Sequence, residues 1–201
     1  SGGDAAAETL AIGWEELAEG RPARFAAGDR VLVALGPLPG QTIWRKRFPK
    51  RDGFAVVERG TAFLRDPDPA TLDALARYLR VAPAERTESP GVEALAELVR
   101  AAVPPVAEGA VLRLESIPGV GGKLREPAAV ALGAALGSEG RPEALRRSLI
   151  RLAASRKLDA LRAAIADVAA RPGPLAGDAW AALAALDGGL PADTVKRRLG
   201  D

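Results

Sequence analysis

Gly140-Arg-Pro-Glu-Ala-Leu-Arg-Arg-Ser-Leu-Ile-Arg-Leu-Ala-Ala154 is the stretch whose reading decides the fold. A Gly/Pro break precedes an unbroken run dominated by Ala, Leu and Arg, which lose little conformational freedom in a helix, so the spacing predicts a helix over 142–154. Its opening, Glu143-Ala-Leu-Arg-Arg147, recurs as Asp159-Ala-Leu-Arg-Ala163, and a second pair stands upstream as Asp73-Ala-Leu-Ala-Arg77 and Glu93-Ala-Leu-Ala-Glu97. Short helices of one composition, each ended by Gly or Pro, therefore run through most of the chain.

The series begins at Asp66-Pro-Asp-Pro-Ala-Thr-Leu72. Asp68 is placed to cap, Pro69 occupies the first helical position, and Leu72, Leu75, Ala76 and Leu79 are expected on one face as far as Tyr78. Helices follow over 92–103 with Leu95, Leu98 and Val99 inward, and over 106–117 with Val111, Leu112 and Leu114. Further helices are predicted over 127–136, 142–154, 158–170, 175–186 and 192–199. Pro104-Pro105 reads as a break, and Pro118-Gly-Val-Gly-Gly122 as a loop. Pro127 to Leu158 and Pro142 to Leu175 give a helix-pair period a little over 30 residues. On the 66–72 and 140–154 stretches, the chain from about 66 to 200 resembles a divergent array of HEAT-type helical hairpins. That resemblance implies a scaffold or binding role, with a concave surface for a partner. An irregular helical bundle is the alternative architecture.

Composition narrows the chemistry. The 201 residues contain no Cys, His, Met or Asn, and about a fifth are Ala. Imidazole bases, thiolate nucleophiles, disulfides and ordinary zinc sites are excluded with them. Carboxylates, Lys, Arg, Ser, Thr and one Tyr remain. Lys and Arg number 28 against 26 Asp and Glu, a net charge of +2, so global electrostatics does not indicate nucleic acid. Charge is nevertheless segregated: residues 1–19 hold five acids and no base, and 41–51 hold five bases and no acid.

Aromatic and β-branched residues concentrate before residue 65, where strands are expected over 30–35, 42–48, 54–58 and 61–64, with Gly36-Pro-Leu-Pro-Gly40 as a breaker. The predicted fold is therefore mainly α with a small β-rich N-terminal unit: a flexible tail over 1–12, a meander or barrel over 13–65, and a helical repeat-like domain over 66–201. Within the β-rich unit, Trp44-Arg-Lys-Arg-Phe-Pro-Lys-Arg51 is the candidate binding segment. On a strand Trp44, Lys46 and Phe48 share one face while Ile43, Arg45 and Arg47 share the other, and Lys50 and Arg51 extend the tip. Trp44, Arg45, Lys46, Arg47, Lys50 and Arg51 suit an acidic protein, an anionic membrane surface or, less well, nucleic acid. A solvated strand edge over an aromatic core explains the same residues without a ligand. Glu15, Glu16 and Glu19 are a further, internal counterpart.

Ile117-Pro-Gly-Val-Gly-Gly-Lys-Leu124 resembles the hairpin of helix-hairpin-helix DNA-binding modules, in which backbone N–H groups approach a phosphate and a Lys adds charge. Glu126 and Pro127 depart from that pattern. Leu124 and Ile117 stand at two positions where a Walker A loop requires other residues. No catalytic set stands out: Asp66 and Asp68 read as capping residues, Ser155 and Lys157 as neighbouring surface groups, and Trp180 as filling between small neighbours. Lys196-Arg-Arg198 suits a helix C-terminus.

Ser1-Gly-Gly resembles the stretch that follows the lipidated Cys of bacterial lipoproteins, with a cloning scar as the alternative. The resulting expectation is a non-catalytic binding or scaffold protein without cofactor or metal, exported to a bacterial periplasm or membrane-anchored there, and binding a protein partner or an anionic surface. The alternatives are a cytoplasmic location and a nucleic-acid-binding module built from 44–51 and the 117–123 loop.

Overall fold

The computed structural model describes residues 11–13, 28–33, 35–37, 53–56 and 63–188. The chain divides into two compact units between Pro67 and Asp68.

The described part of the first unit consists of short strands: β1 (Ala11–Gly13), β2 (Val31–Val33), β3 (Leu35–Pro37), β4 (Gly53–Val56) and β5 (Phe63–Arg65). β4 lies between β1, to which it is parallel, and β3, to which it is antiparallel; β2 pairs antiparallel with β5. Strand β3 runs through Gly36 and Pro37, where a break was expected. Among the described strands β3 stands at the end of its sheet, where proline, which lacks a ladder donor, is tolerated. Arg65 and Asp29 form an ion pair at 3.3 Å, and Asp66 N–H donates to Arg30 O at 2.8 Å, tying the ends of the β2–β5 pair. The expected strand over 42–48, and the closure of these pairs into a meander or barrel, lie outside the described residues.

The second unit is helical. It contains α1 (Pro69–Arg80), α2 (Ser89–Ala101), α3 (Pro104–Ser116), α4 (Val120–Lys123), α5 (Glu126–Gly137), α6 (Glu143–Arg156), α7 (Arg162–Ala170) and α8 (Ala176–Asp187). One-turn 3-10 segments stand at Pro83–Glu85 and Asp159–Leu161. The chain is thus mainly helical over its described residues. The expected 192–199 helix lies outside them. Proline punctuates the starts, standing within the first two positions of α1, α2, α3 and α5. Pro104-Pro105 consequently opens α3 instead of only breaking the chain, because the first helical N–H groups have no intrahelical acceptor to lose.

Two rows organise these helices. α2 packs on α5 and α5 on α7; α3 packs on α6 and α6 on α8. Consecutive helices α2 and α3, α5 and α6, and α7 and α8 join the rows, while α1 packs on α2. No substantial contact joins α2 or α3 to α7 or α8 among the described residues. Starts at Ser89, Glu126 and Arg162 are 37 and 36 residues apart, and those at Pro104, Glu143 and Ala176 are 39 and 33 apart. The last spacing matches the expected period, and the longer ones include α4 and the Asp159–Leu161 turn, which occupy connections read as loop or helix from sequence.

The core is aliphatic and Ala-rich. Leu95, Leu98 and Val99 of α2 are buried as expected, together with Leu114, Leu132, Leu136, Leu145, Leu149, Ile150 and Ile165. Two sequence assignments need correcting. In α1 the inward residues are Thr71, Ala74, Leu75 and Tyr78, a spacing of i, i+3, i+4 and i+7, and Leu79 is exposed. In α3 the buried set Ala107, Ala110, Val111 and Leu114 leaves Leu112 outside.

Side chains close the helix C-termini, whose last carbonyls have no intrahelical donor. Arg86 donates to Val81 O and Leu79 O after α1, and Arg141 to Ala102 O and Arg100 O at the end of α2. Arg156 closes α3 at Glu115 O, Arg146 closes α5 at Leu136 O, Trp180 closes α7 at Ala169 O, and Lys157 closes α8 at Ala185 O. Arg141 and Arg156 thereby tie one helix pair to the preceding one. Part of the chain's Arg excess has this structural use.

Thr71 is the buried polar residue of the described core. Its hydroxyl donates to Asp68 Oδ2 at 2.6 Å and accepts from Val103 N–H at 2.9 Å, and its own N–H donates to Asp68 Oδ1 at 2.9 Å. The start of α1 is thereby fastened to the α2–α3 connection. These Thr71 hydrogen bonds hold the Asp68 carboxyl below its ordinary range. A carboxylate depressed by folding stabilises above its unfolded pKa and loses that contribution as pH falls through the folded value. Thr71→Val, by leaving Val103 N–H unpaired, is expected to cost about 1–2 kcal/mol at neutral pH. In urea titrations the wild type should lose more stability than the variant on acidification below the ordinary aspartate pKa of 3.8; parallel losses would contradict this network.

Candidate functional site

Trp44, Arg45, Lys46, Arg47, Lys50 and Arg51, with Glu15, Glu16 and Glu19, lie outside the described residues. The site that can be built is in the helical unit, between α3 and α6.

These helices are neighbours in one row, and the Arg156 bond to Glu115 O brings their C-terminal ends together. Between them is a groove of about 630 Å³, lined on the α3 side by Glu108, Val111, Leu112 and Glu115, and on the α6 side by Ala144, Ser148, Arg151 and Ser155. Helical periodicity creates both walls: 108, 112 and 115 recur on one face of α3, as do 144, 148, 151 and 155 on α6. Val111 is buried at the base, whereas Leu112 is 66% exposed.

The surrounding charges are unspent. Arg151 donates to Ser148 Oγ at 3.2 Å, and among the described residues Glu108, Glu115 and Arg151 form no ion pair. The next groove edge along the row differs. There Arg147 joins α6 to α8 through Asp178 at 2.8 Å and also meets Glu143 at 2.6 Å, and these hydrogen bonds raise its pKa, Asp178 first. Arg162 similarly binds Asp187 and Asp159. On α2, hydrogen bonding to Arg100 holds the Glu97 carboxyl below its ordinary range, with Arg77 4.0 Å away. The α3–α6 groove therefore combines an exposed aliphatic side chain with charges available to another molecule.

The helical pattern places Leu112 inward with Val111 and Leu114, and the structure places it outside. Its exposure was legible, because Ala107, Ala110, Val111 and Leu114 already complete a core stripe and Leu112 falls about 100° from Val111 around the helix.

The 117–124 loop does not present its Lys to solvent as the DNA-binding hairpin pattern implies. Ile117 and Val120 are buried, Gly119 takes the left-handed conformation at φ 65°, and residues 120–123 form α4. Lys123 Nζ donates to Thr87 O at 2.8 Å and to a Glu88 carboxylate oxygen at 3.0 Å. A Cβ on Gly121 would lie 3.3 Å from Arg156 O, so this glycine's close approach is to the protein's own backbone.

Ser155 and Lys157 are likewise engaged separately. Ser155 Oγ donates to Leu152 O, and Lys157 to Ala185 O. A Ser-Lys dyad needs these groups to face one another, and here they do not. Trp180 is half-buried and gives its indole N–H to Ala169 O at 3.1 Å. The Arg86 guanidinium lies 5.7 Å from the Tyr78 ring centroid. Among the described residues no cluster of three metal-ligating side chains occurs, and no helix is long and apolar enough to cross a membrane.

Compared with protein-family models, curated proteins and solved structures, the chain finds no match.

Proposed function

We propose that the protein is a non-catalytic binding scaffold whose helical unit is a HEAT-like array, with the groove between α3 and α6 as its protein-binding surface. The row packing supports the array reading, because each helix pair makes its substantial contacts with its neighbours in the manner of a solenoid. Successive spacings of 33 to 39 residues lie near that of HEAT hairpins.

The observation that carries the binding role is Leu112, exposed in a groove whose Glu108, Glu115 and Arg151 have no ionic partner among the described residues. Single exposed leucines are ordinary on protein surfaces. A leucine in a concavity, bordered by uncommitted charges, is the arrangement that seats an apolar anchor inside a polar rim.

Leu112→Asp tests this reading against Leu79→Asp, which changes an equally exposed leucine on α1. Both variants should keep the wild-type helical circular dichroism. Affinity capture from the source organism's extract should recover a protein with the wild type and with Leu79→Asp, and at least about tenfold less of it with Leu112→Asp. A partner retained equally by all three places binding elsewhere and overturns the assignment of the groove.

A further inference from the structure

Resting on the groove as the binding surface, we infer that its occupant is a basic amphipathic helix of a partner protein, carrying an aliphatic anchor for Leu112 and Lys or Arg residues for Glu108 and Glu115.

The argument is one of spacing and sign. Glu108, Leu112 and Glu115 follow one another at i, i+4 and i+7, so the two carboxylates bracket the leucine over about 10 Å of helix. A helix laid along α3 repeats the same interval, bringing an aliphatic residue onto Leu112 while basic residues at its own i and i+7 meet the two carboxylates. The trough between parallel rows of side chains on α3 and α6 accepts a third helix by the same ridge-and-groove packing that joins the rows.

Electrostatics selects the partner's charge. Two carboxylates without ion pairs among the described residues face the groove against one guanidinium, and Arg151 is turned onto Ser148 of its own wall. A basic segment gains two charge pairs at α3, and an acidic residue on its opposite flank can meet Arg151. Nucleic acid and anionic lipid would bring phosphates to Glu108 and Glu115, so this face disfavours them. The small residues Ala144, Ser148 and Ser155 leave room along the α6 wall for the backbone of an approaching helix.

The test uses the full chain and two fluorescent peptides of about 20 residues. One is Ala-based, with Leu flanked by Lys at the matching helical positions; the other has Glu in place of each Lys. The Lys peptide should raise fluorescence anisotropy with the wild type, lose affinity as salt rises, and bind better than the Glu peptide. In E108K/E115K this preference should invert, each peptide changing affinity by about tenfold in opposite directions. Inversion distinguishes specific pairing from a damaged fold, since a damaged surface binds neither peptide.

Failure of the wild type to bind the Lys peptide, or an unchanged preference in E108K/E115K, overturns the inference. The scaffold reading is separable. If Leu112→Asp abolishes capture of a partner but E108K/E115K leaves it intact, the groove binds protein and only the basic-helix assignment falls. Sedimentation of the chain alone should show the same mass for wild type and E108K/E115K. A wild-type dimer that the charge reversal dissociates would identify the occupant as a second copy, and would also overturn the inference.

Discussion

Gly91→Ala should unfold the helical unit more readily by about 3 kcal/mol, although alanine is the better helix former. Gly91 lies in the first turn of α2 and is buried, and a Cβ built there would overlap Arg86 O, C and Cα. All three contacts are with backbone, so no side-chain rotation can relieve them. The chain between α1 and α2 must move instead, and Arg86 is the residue that closes the end of α1 through Val81 O and Leu79 O. The methyl group therefore disturbs the α1–α2 connection as a whole.

Gly109→Ala provides the internal comparison. Gly109 is exposed within α3, and an added Cβ meets nothing within 4 Å. The same chemical change should there stabilise by about 0.5–1 kcal/mol through helix propensity. Urea midpoints moving in opposite directions for the two variants would verify both environments; a neutral Gly91→Ala would show that the approach of Arg86 is not retained in solution.

The comparison also shows what a linear reading contains. Gly91 and Gly109 are each a glycine inside an amphipathic pattern, and nothing local separates them. Their difference is created when the chain at Arg86 folds back against α2. Helix starts at α1, α2 and α5 were legible for the opposite reason: Asp68 before Pro69, and the prolines opening α2 and α5, act through the adjacent backbone. Thr71 gave no such local signal, because its hydroxyl accepts from Val103 N–H, 32 residues away.

Arg-rich helices gave a similarly incomplete picture. Composition alone could not assign Arg141 to the carbonyls of Arg100 and Ala102, or Arg156 to that of Glu115, because each capping bond joins segments about 40 residues apart. The groove was more accessible. Once Ala107, Ala110, Val111 and Leu114 are assigned inward, the 3.6-residue period leaves Leu112 outside with Glu108 and Glu115 beside it. What the period could not provide was α6 as the second wall, which depends on how the rows stack.

Leu149→Ala is expected to cost about 3–4 kcal/mol, near the middle of the range for a large aliphatic side chain removed from a core. Leu149 is completely buried in α6, the helix that packs on α3, α5 and α8. The buried faces of those helices are rich in Ala, with Ala107 and Ala110 of α3, Ala135 of α5, and Ala179 and Ala182 of α8. Alanine has no rotamer with which to fill a void, so relaxation would require movement of helix backbones and most of the cavity should remain. Leu183→Ala, in α7–α8, the last pair among the described residues, offers a contrast because an array whose units contact only neighbours can release a pair near its end before the rest. In urea, Leu149→Ala should move one cooperative transition to lower concentration, whereas Leu183→Ala should broaden it and lower its slope. Identical cooperative shifts in the two variants would mean that the helices unfold as a closed bundle, not as a row of pairs.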